Sequence, residues 1–476
     1  MAKRIVKAKV KELEIPAEEP FKNDKLERKN YAEILTDIVE TFEDGAVIAL
    51  NGAWGTGKTT FVRMWEQYLK NDDFPVIYYN AWEDDISEEP LFSLLRCLKN
   101  ANKKEDKEGK LKRVFTVGGK ILAGMAVGTV KGFLGKAGEI VSKAGEGAID
   151  AIAKEFTDSL EKEDKIEELL GQFKTALIEY VAFVCNNGRP LVYFIDELDR
   201  CNPTFAVKVL ERMKHLFDIP NVVFVLSIDK RQLAHSINGY YGNENINSIE
   251  YLRRFIDIDY NLPDPDPERY CEYLYDYYGF GEFVESESRR IINGNKVFED
   301  KNILLAFAKL LVKHKCLSLR QTERIFALAR VGLCEMTSNS KLFTDVYFFM
   351  AFLKVCEPNI FTNIRDFNYN QQELLDAIEE LGKDLIQAEI IQGTNFYLCC
   401  ICHLLVCYEE SIRNDPERKH EPITSKGDCS ISLDFKYFDN KTGNDFLSHY
   451  HQRFNLVVDI RHFTKKLELF MPLQDE

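Results

Sequence analysis

The residues best suited to chemistry form one short run, in which glycines precede a lysine and two threonines. The run fits the pattern GxxxxGK[ST] and comprises Gly52, Ala53, Trp54, Gly55, Thr56, Gly57, Lys58, Thr59 and Thr60. Glycines allow successive backbone N–H groups to turn towards one anion, and the N-terminus of a following helix adds partial positive charge. In this pattern the lysine reaches the terminal phosphates and the Thr59 hydroxyl binds Mg²⁺. The run therefore predicts a nucleoside triphosphate site.

Two carboxylates follow a second apolar segment. Asp196 and Glu197 come directly after Leu191–Ile195. We expect Asp196 to hold Mg²⁺ through water and Glu197 to polarise the attacking water, since a general base must lie within hydrogen-bond reach of its proton. The alternative is a pair of solvated carboxylates in a turn, which the phosphate-binding pattern upstream disfavours.

Other polar residues are weaker candidates. Ser227 and Asp229 end the segment VVFVLSID, where they either position water near the γ-phosphate or cap the next helix. Arg253, Arg254 and Arg320 are candidates for neutralising transition-state charge, in the same chain or in a neighbouring one. Ordinary surface ion pairs are the alternative for each arginine.

Alternating elements must position these side chains. Near-continuous apolar runs are typical of parallel strands that are buried on both faces. Here they alternate with segments whose apolar residues have helical spacing, which predicts a wound α/β sheet. The predicted strands are Ala46–Leu50, Val76–Tyr79, Leu191–Ile195, Val222–Leu226 and Phe255–Tyr260. The predicted helices are Tyr31–Phe42, Thr59–Lys70, Leu91–Lys99, Ile166–Cys185 and Thr204–Phe217.

The chain changes character at the prolines of residues 263–267. Proline continues neither a helix nor a central strand, so the sheet is expected to end there. The predicted organisation is a charged segment 1–30, an α/β core 31–262, a helical region 263–336 and a mostly helical region 337–476. In that last region Cys399, Cys400, Cys402, His403 and Cys407 fall in an apolar run, which favours a buried helix over a zinc site.

A basic, glycine-rich insert interrupts the core at about residues 100–154. Residues 99–154 contain twelve Lys or Arg and six Asp or Glu. The longest stretch without charge is Ile121–Val130, whereas a membrane-spanning helix needs about twenty apolar residues. We interpret the insert first as a loop that is mobile or ordered by a partner, second as a basic helix lying on a membrane surface, and last as a membrane span.

Composition narrows the classes of protein. The chain of 476 residues is 45% hydrophobic and 29% charged, which is typical of globular proteins. Its net charge of −15 argues against general binding to nucleic acid. The first twenty residues contain no apolar segment typical of a secretory signal, and the twelve cysteines are scattered along the chain, which does not indicate a disulfide-stapled secreted domain. We therefore expect a cytoplasmic protein. The alternative is a cytoplasmic protein that associates with a membrane through the insert.

Several segments together resemble the KAP family of P-loop NTPases, within the additional-strand, catalytic-Glu division of P-loop proteins. The resemblance covers about residues 24–330 and rests on DKLERKNYAEIL, NGAWGTGKTT, YYNAWEDD, FIDELDRCNP, VVFVLSIDKRQLAHSI and YLRRFIDIDYNLP. It implies a three-layer α/β core with a parallel sheet, in which the strand ending at Ser227 lies between the two strands that carry the Walker motifs. It also implies a helical lid after the core, with Arg320 placed as a sensor arginine.

The resemblance and the motifs lead to one functional hypothesis. We expect an ATPase that binds ATP and Mg²⁺ as a conformational switch in a homo-oligomer and meets a protein partner through residues 341–476. ATP is preferred to GTP because the nearest guanine-type motif, Ser425–Asp428, lies far outside the predicted sheet. In a bacterium the resemblance suggests an anti-phage or plasmid-linked role. The alternatives are a nucleotide-dependent scaffold with little turnover, and a nucleic-acid motor, which the acidic charge disfavours.

Overall fold

The computed structural model describes most of the chain. It covers residues 14–86, 89–101, 108–125, 162–185, 187–216, 218–242, 247–293, 296–333, 343–413, 433–453 and 459–468. The chain divides into two compact units, the first ending at Asp264 and the second beginning at Pro265.

A five-stranded parallel sheet forms the centre of the first unit. The strands are β1 (Ala46–Asn51), β2 (Val76–Asn80), β3 (Leu191–Asp196), β4 (Val222–Ile228) and β5 (Ile258–Asn261). Their order is β2-β3-β4-β1-β5, so β4 lies between β1 and β3, as the resemblance implied. Every residue of β3 and β4 is buried, which explains why both strands are continuous apolar runs.

Helices cover both faces of this sheet. They are α1 (Lys29–Glu40), α2 (Lys58–Asn71), α3 (Pro90–Cys97), α4 (Lys110–Met125), α5 (Lys162–Val184), α6 (Pro203–Leu216), α7 (Lys230–Tyr241) and α8 (Ser248–Leu252). Apolar residues of α1 and α2 pack on one face, where Trp65 meets Phe194 edge to face with ring centroids 5.1 Å apart. Residues of α3 to α7 pack on the other face around Tyr193 and Phe224. The three-layer α/β core is therefore confirmed.

The fifth strand begins later than the sequence predicts. Phe255 and Ile256 lie before β5, and their side chains are buried in the core. Asp257 then pairs with Val47, donating its backbone N–H to the Val47 carbonyl at 2.9 Å and accepting the Val47 N–H on its carboxylate at 2.8 Å. The apolar character of Phe255 and Ile256 thus reflects burial of a turn, and the strand prediction was wrong for these two residues.

The first part of the basic insert is a packed helix. In α4, residues Val114, Phe115 and Ile121 are buried against the same core as Phe173 of α5. A Cβ atom on Gly118 would lie 2.7 Å from Leu95 Cδ1, so the glycine permits close packing there. The loop interpretation was therefore wrong for residues 110–125, because the apolar face of α4 completes the core. Residues 126–161 lie outside the described residues.

All the regular secondary structure described in the second unit is helical. Its helices are α9 (Pro267–Tyr277), α10 (Phe280–Val284), α11 (Glu287–Asn293), α12 (Lys296–His314), α13 (Leu319–Gly332), α14 (Thr344–Cys356), α15 (Pro358–Arg365), α16 (Gln371–Gln392), α17 (Phe396–Arg413), α18 (Asn440–Arg453) and α19 (Ile460–Glu468). Where the chain is described, no helix is long and apolar enough to cross a membrane.

The cysteine cluster lies in α17, as the sequence predicts. Cys400, Cys402 and Cys407 are buried, and the His403 Nδ1 atom lies 2.7 Å from the Asp345 carboxylate. Among the described residues no group of three or more His, Cys, Asp or Glu side chains could hold a metal ion. The cysteines act as small apolar residues in a helix core.

The packing of α4 yields the first prediction. Phe115→Ala should cost about 3–5 kcal/mol, because it removes a buried ring from the core, and should lower the Tm by at least roughly 6 °C. Thr116→Ala is the matched control, since Thr116 is the exposed neighbour on the same helix. Thermal unfolding followed by circular dichroism measures both variants. Equal Tm values for the two would contradict the packing of α4 in the core.

Candidate nucleotide-binding site

The glycine-rich run forms a loop between β1 and α2. Gly55 and Gly57 have φ angles of 78° and 81°, which only glycine adopts at little cost, and Gly57 precedes the first residue of α2. A Cβ atom on Gly52 would come within 3.2 Å of the Thr56 hydroxyl and 3.3 Å of the Lys58 side chain. The three glycines therefore let the backbone close tightly around Lys58, in the geometry of a phosphate-binding loop.

Lys58 is buried inside this loop. Its Nζ atom donates hydrogen bonds to the carbonyl oxygens of Gly52 at 2.5 Å and Ala53 at 3.1 Å. Burial lowers the pKa of the ammonium group, and the carboxylates of Asp199, Asp229 and Asp196 oppose that shift. The loop thus holds a cation at the helix N-terminus, where phosphate oxygens would lie. Trp54 and Thr60 are exposed, whereas Thr59 is partly exposed in the first turn of α2.

Asp196 ends β3 and is almost completely buried. One carboxylate oxygen accepts a hydrogen bond from the Tyr78 hydroxyl at 2.9 Å, and the other accepts the Glu197 backbone N–H at 3.0 Å. Each carboxylate oxygen has two lone pairs, so both keep accepting capacity. A carboxylate and a hydroxyl are ligands that Mg²⁺ prefers. The pair Asp196 and Thr59 therefore fits a magnesium site.

Glu197 has an unusual backbone and a charged partner. Its φ of 61° is in the left-handed region, which is uncommon for a residue other than glycine and is enriched at functional sites. The Glu197 carboxylate lies 3.2 Å from the Arg200 guanidinium, which itself lies 5.5 Å from the centre of the Trp82 ring. Glu197 is thus held in an ion pair directly after the predicted metal ligand.

Asp199, which follows β3, contacts both the phosphate loop and the end of β4. Its Oδ2 atom accepts the Trp54 indole N–H at 2.6 Å and the Asp229 backbone N–H at 2.9 Å. Burial raises the pKa of Asp199, while these two hydrogen bonds and the Lys58 charge oppose the shift. One carboxylate therefore connects the phosphate loop to the end of β4.

The two polar residues at the end of β4 have different environments. Asp229 caps α7 by accepting the Arg231 backbone N–H at 3.0 Å, in agreement with the capping alternative. Ser227 is completely buried and pairs in register with Asp196 on one side and Leu50 on the other. Within the part of the chain that the structure describes, its hydroxyl has no hydrogen-bond partner. Ser227 thus keeps an unused hydroxyl between the two Walker strands.

The predicted arginines lie in two different units. Arg253 and Arg254 are exposed at the end of α8, where Arg253 pairs with Glu250 at 2.8 Å. Arg320 is exposed in the first turn of α13 and belongs to the second unit. All three roles stay predictions. Arg200, which lies in the segment FIDELDRCNP of the resemblance, is an arginine whose charge acts on Lys58 and Glu197.

Sequence reasoning also missed a buried arginine below the loop. Arg28 is almost fully buried, and its guanidinium donates to the carbonyl oxygens of Gly57 at 3.4 Å and Pro263 at 3.1 Å. Burial lowers the pKa of this group, against the charges of Asp24 and Asp264. The segment DKLERKNYAEIL contains Arg28, but nothing in its spacing indicates contact with residues so distant along the chain.

The fold and this loop define a class of protein. A parallel sheet with a phosphate-binding loop after β1 and an acidic residue at the end of β3 is the core of a P-loop NTPase. The model of the KAP family P-loop domain matches residues 28–327, and the chain belongs to that family. The match extends past Asp264 into the second unit and includes Arg320. A comparison with curated proteins found no match for the chain. The family supports a nucleotide-binding NTPase.

The electrostatics of Lys58 yield the second prediction. Asp199→Asn keeps an oxygen for Trp54 and Asp229 but removes the negative charge that most strongly opposes the lowered pKa of Lys58. The pKa of Lys58 should fall further, so nucleotide affinity should decline at a lower pH than in the wild type. Titration of a fluorescent ATP analogue from roughly pH 7 to 10 measures this decline.

Removal of a different carboxylate in the same unit serves as the control. Asp259→Asn removes a carboxylate that pairs with Lys230 at 2.6 Å. Its pH profile should follow that of the wild type. A profile for Asp199→Asn that coincides with the wild type, or moves to higher pH, would contradict the assigned role of the Asp199 charge.

Proposed function

We propose that the protein binds ATP with Mg²⁺, hydrolyses it, and uses the cycle as a conformational switch. The observation that carries the proposal is the convergence of Lys58, Asp196 and Glu197 around one phosphate-binding loop. Lys58 is buried in the loop, Asp196 ends the strand beside β4, and Glu197 follows it. A cation, a metal ligand and a general base are the three groups that phosphoryl transfer to water requires.

In the proposed hydrolysis of ATP, each residue of the site has its own role. Lys58 and the loop N–H groups would bind the β- and γ-phosphates, and Thr59 and Asp196 would hold Mg²⁺, which would neutralise charge on the phosphate oxygens. Glu197 accepts a proton from the attacking water as its oxygen bonds to the γ-phosphorus and the bond to the β-phosphate oxygen breaks. We propose that the unpaired Ser227 hydroxyl hydrogen-bonds that water or the γ-phosphate.

Turnover requires a rearrangement within the site. The Glu197 carboxylate is paired with Arg200, and a base must be free to take its proton. We infer that nucleotide binding draws Arg200 towards the phosphates, which releases Glu197. Such a change is local, and a switch needs it to be coupled to the rest of the chain.

The wider role rests on the resemblance to the family. We propose that the protein acts in the cytoplasm as a homo-oligomer, that residues 341–476 bind a protein partner, and that a bacterial chain of this kind serves in anti-phage or plasmid-linked defence. Membrane association through residues 100–154 is a variant of this proposal. The net charge of −15 disfavours nucleic acid as the partner.

A second candidate is a scaffold that binds nucleotide with little turnover. Two contacts favour it: Lys58 is held by its own loop carbonyls, and Glu197 is held by Arg200. Both contacts occupy the charged groups that hydrolysis would use. In this case ATP binding orders an oligomer, and the oligomer rather than hydrolysis is the output.

Substitution of the proposed base separates the two functions. Glu197→Gln should lower turnover by about 10²–10⁴-fold, because amide cannot accept the water proton, and should leave ATP affinity nearly unchanged. Lys58→Ala should lose ATP binding. Phosphate release, ATP affinity and molecular mass are measured on the same samples, with Glu40→Gln, an exposed acid paired with Arg189, as the control.

The results of these measurements distinguish the ATPase from the scaffold. Turnover lost in Glu197→Gln and kept in Glu40→Gln supports the ATPase. Tight ATP binding without turnover in the wild type, together with a nucleotide-dependent mass, supports the scaffold. A wild type that binds no nucleotide contradicts both.

A mixing experiment tests the exposed arginines. We expect the double substitution Arg253→Ala and Arg254→Ala to lower turnover at least about hundredfold, because a neighbouring subunit supplies the guanidinium that stabilises transition-state charge. Lys58→Ala chains retain both arginines but lack a working loop. Mixing the two inactive proteins should therefore restore turnover at the shared sites. Recovery that does not exceed the sum of the separate proteins would contradict a role in trans.

A further inference from the structure

Tyr78 contacts the predicted metal ligand from the neighbouring strand. Its hydroxyl donates to Asp196 Oδ2 at 2.9 Å across 118 positions of sequence. The register pairs Tyr78 with Phe194 and Asn80 with Asp196, so the tyrosine reaches diagonally to a residue two positions further along β3. This contact is separate from the bond that the Glu197 N–H donates to the other oxygen.

The contact lies on the face of the sheet that α2 covers. Successive strand residues alternate between faces, and Tyr78 packs with the cluster of α1 and α2, whereas Tyr79 packs with the opposite cluster. Phe194 belongs to the same cluster as Tyr78, so Asp196, two residues later, faces the same side. Tyr78 therefore approaches Asp196 from the side on which α2 carries Thr59.

The ring of Tyr78 is itself held by α2. The Arg63 guanidinium lies 3.2 Å from the ring centroid and is also paired with Glu66 at 3.0 Å. A cation over an aromatic face is attracted to it, and the neighbouring carboxylate limits the motion of the guanidinium. The helix that begins at the phosphate loop thus fixes the ring whose hydroxyl binds Asp196.

We propose that Tyr78 is a positioning residue of the magnesium site, whose hydroxyl orients the Asp196 carboxylate and thereby sets the affinity for Mg²⁺ in the nucleotide complex. The proposal rests on the proposed function. With one donor on each oxygen, the carboxylate plane is fixed and the remaining lone pairs have defined directions. Hydrogen bonds of this kind to metal ligands typically change metal affinity or activity by about 10–100-fold.

Tyr78→Phe tests this role by removing one oxygen atom. The ring, its packing and the Arg63 contact remain, so the protein should fold, with its Tm lowered only by the loss of one hydrogen bond to a buried carboxylate. The fluorescence of a non-hydrolysable ATP analogue is measured in EDTA and across a Mg²⁺ titration. We expect unchanged affinity in EDTA and a roughly tenfold higher Mg²⁺ concentration for half-maximal tightening of nucleotide binding. Direct binding of Mn²⁺, followed by electron paramagnetic resonance, should weaken in parallel.

Two further variants make the test specific. Tyr79→Phe removes a buried hydroxyl from the adjacent residue on the opposite face and should leave the Mg²⁺ titration unchanged. In an Asp196→Ala background, Tyr78→Phe should have no additional effect on the titration, because Tyr78 acts through that carboxylate.

The outcomes are distinct. A Mg²⁺ titration of Tyr78→Phe that matches the wild type overturns the inference, as does an equal loss of affinity with and without Mg²⁺, which indicates a structural role. A wild type that binds no analogue under either condition overturns the proposed function instead.

Discussion

The burial of charge at one edge of the sheet is the constraint on which the site depends. Lys58, Asp196, Asp199 and Asp229 are all nearly inaccessible to solvent, and each would be costly to bury alone. Loop carbonyls satisfy the ammonium, while donors from β2, the phosphate loop and backbone N–H groups satisfy the carboxylates. Every surrounding element is therefore needed to keep these charges hydrogen-bonded, and a phosphate group would enter a site that is already organised for charge.

Parallel strands explain why these groups meet. The carboxyl ends of β1, β3 and β4 lie at the same edge, and the register places Ser227 between Leu50 and Asp196. The phosphate loop leaves β1 at that edge, and α2 returns along the face on which Tyr78 and Asp196 lie. One helix therefore carries Lys58 and Thr59 at its start and fixes Tyr78 through Arg63 one turn later, which joins phosphate binding and metal binding in one rigid element.

The sequence predicts the parts of this site that depend on local pattern. The glycine spacing located the loop, and the buried runs located four of the strands. Burial alone does not distinguish a strand from a packed turn, so Phe255 and Ile256 were misassigned. Residues 110–125 were misassigned for a different reason: their lysines and glycines favoured a loop, whereas the residues form a helix that packs on the core. Contacts between distant residues leave no local signal: Tyr78 and Asp196 are 118 positions apart, and Arg28 and Pro263 are 235 apart. Such contacts can be predicted only when the register of the strands is known.

Arg28 shows how a change at the phosphate loop can reach the end of the first unit. Its guanidinium is shared between the carbonyl of Gly57, directly before α2, and that of Pro263, directly before the residue that ends the unit. Because the group is nearly inaccessible to water, it cannot exchange one carbonyl for solvent without cost. Movement of Gly57 is therefore opposed unless Arg28 or Pro263 moves too. A switch driven by nucleotide needs an element of this kind, in which a displacement at the phosphates and a displacement at the exit of the sheet are energetically coupled.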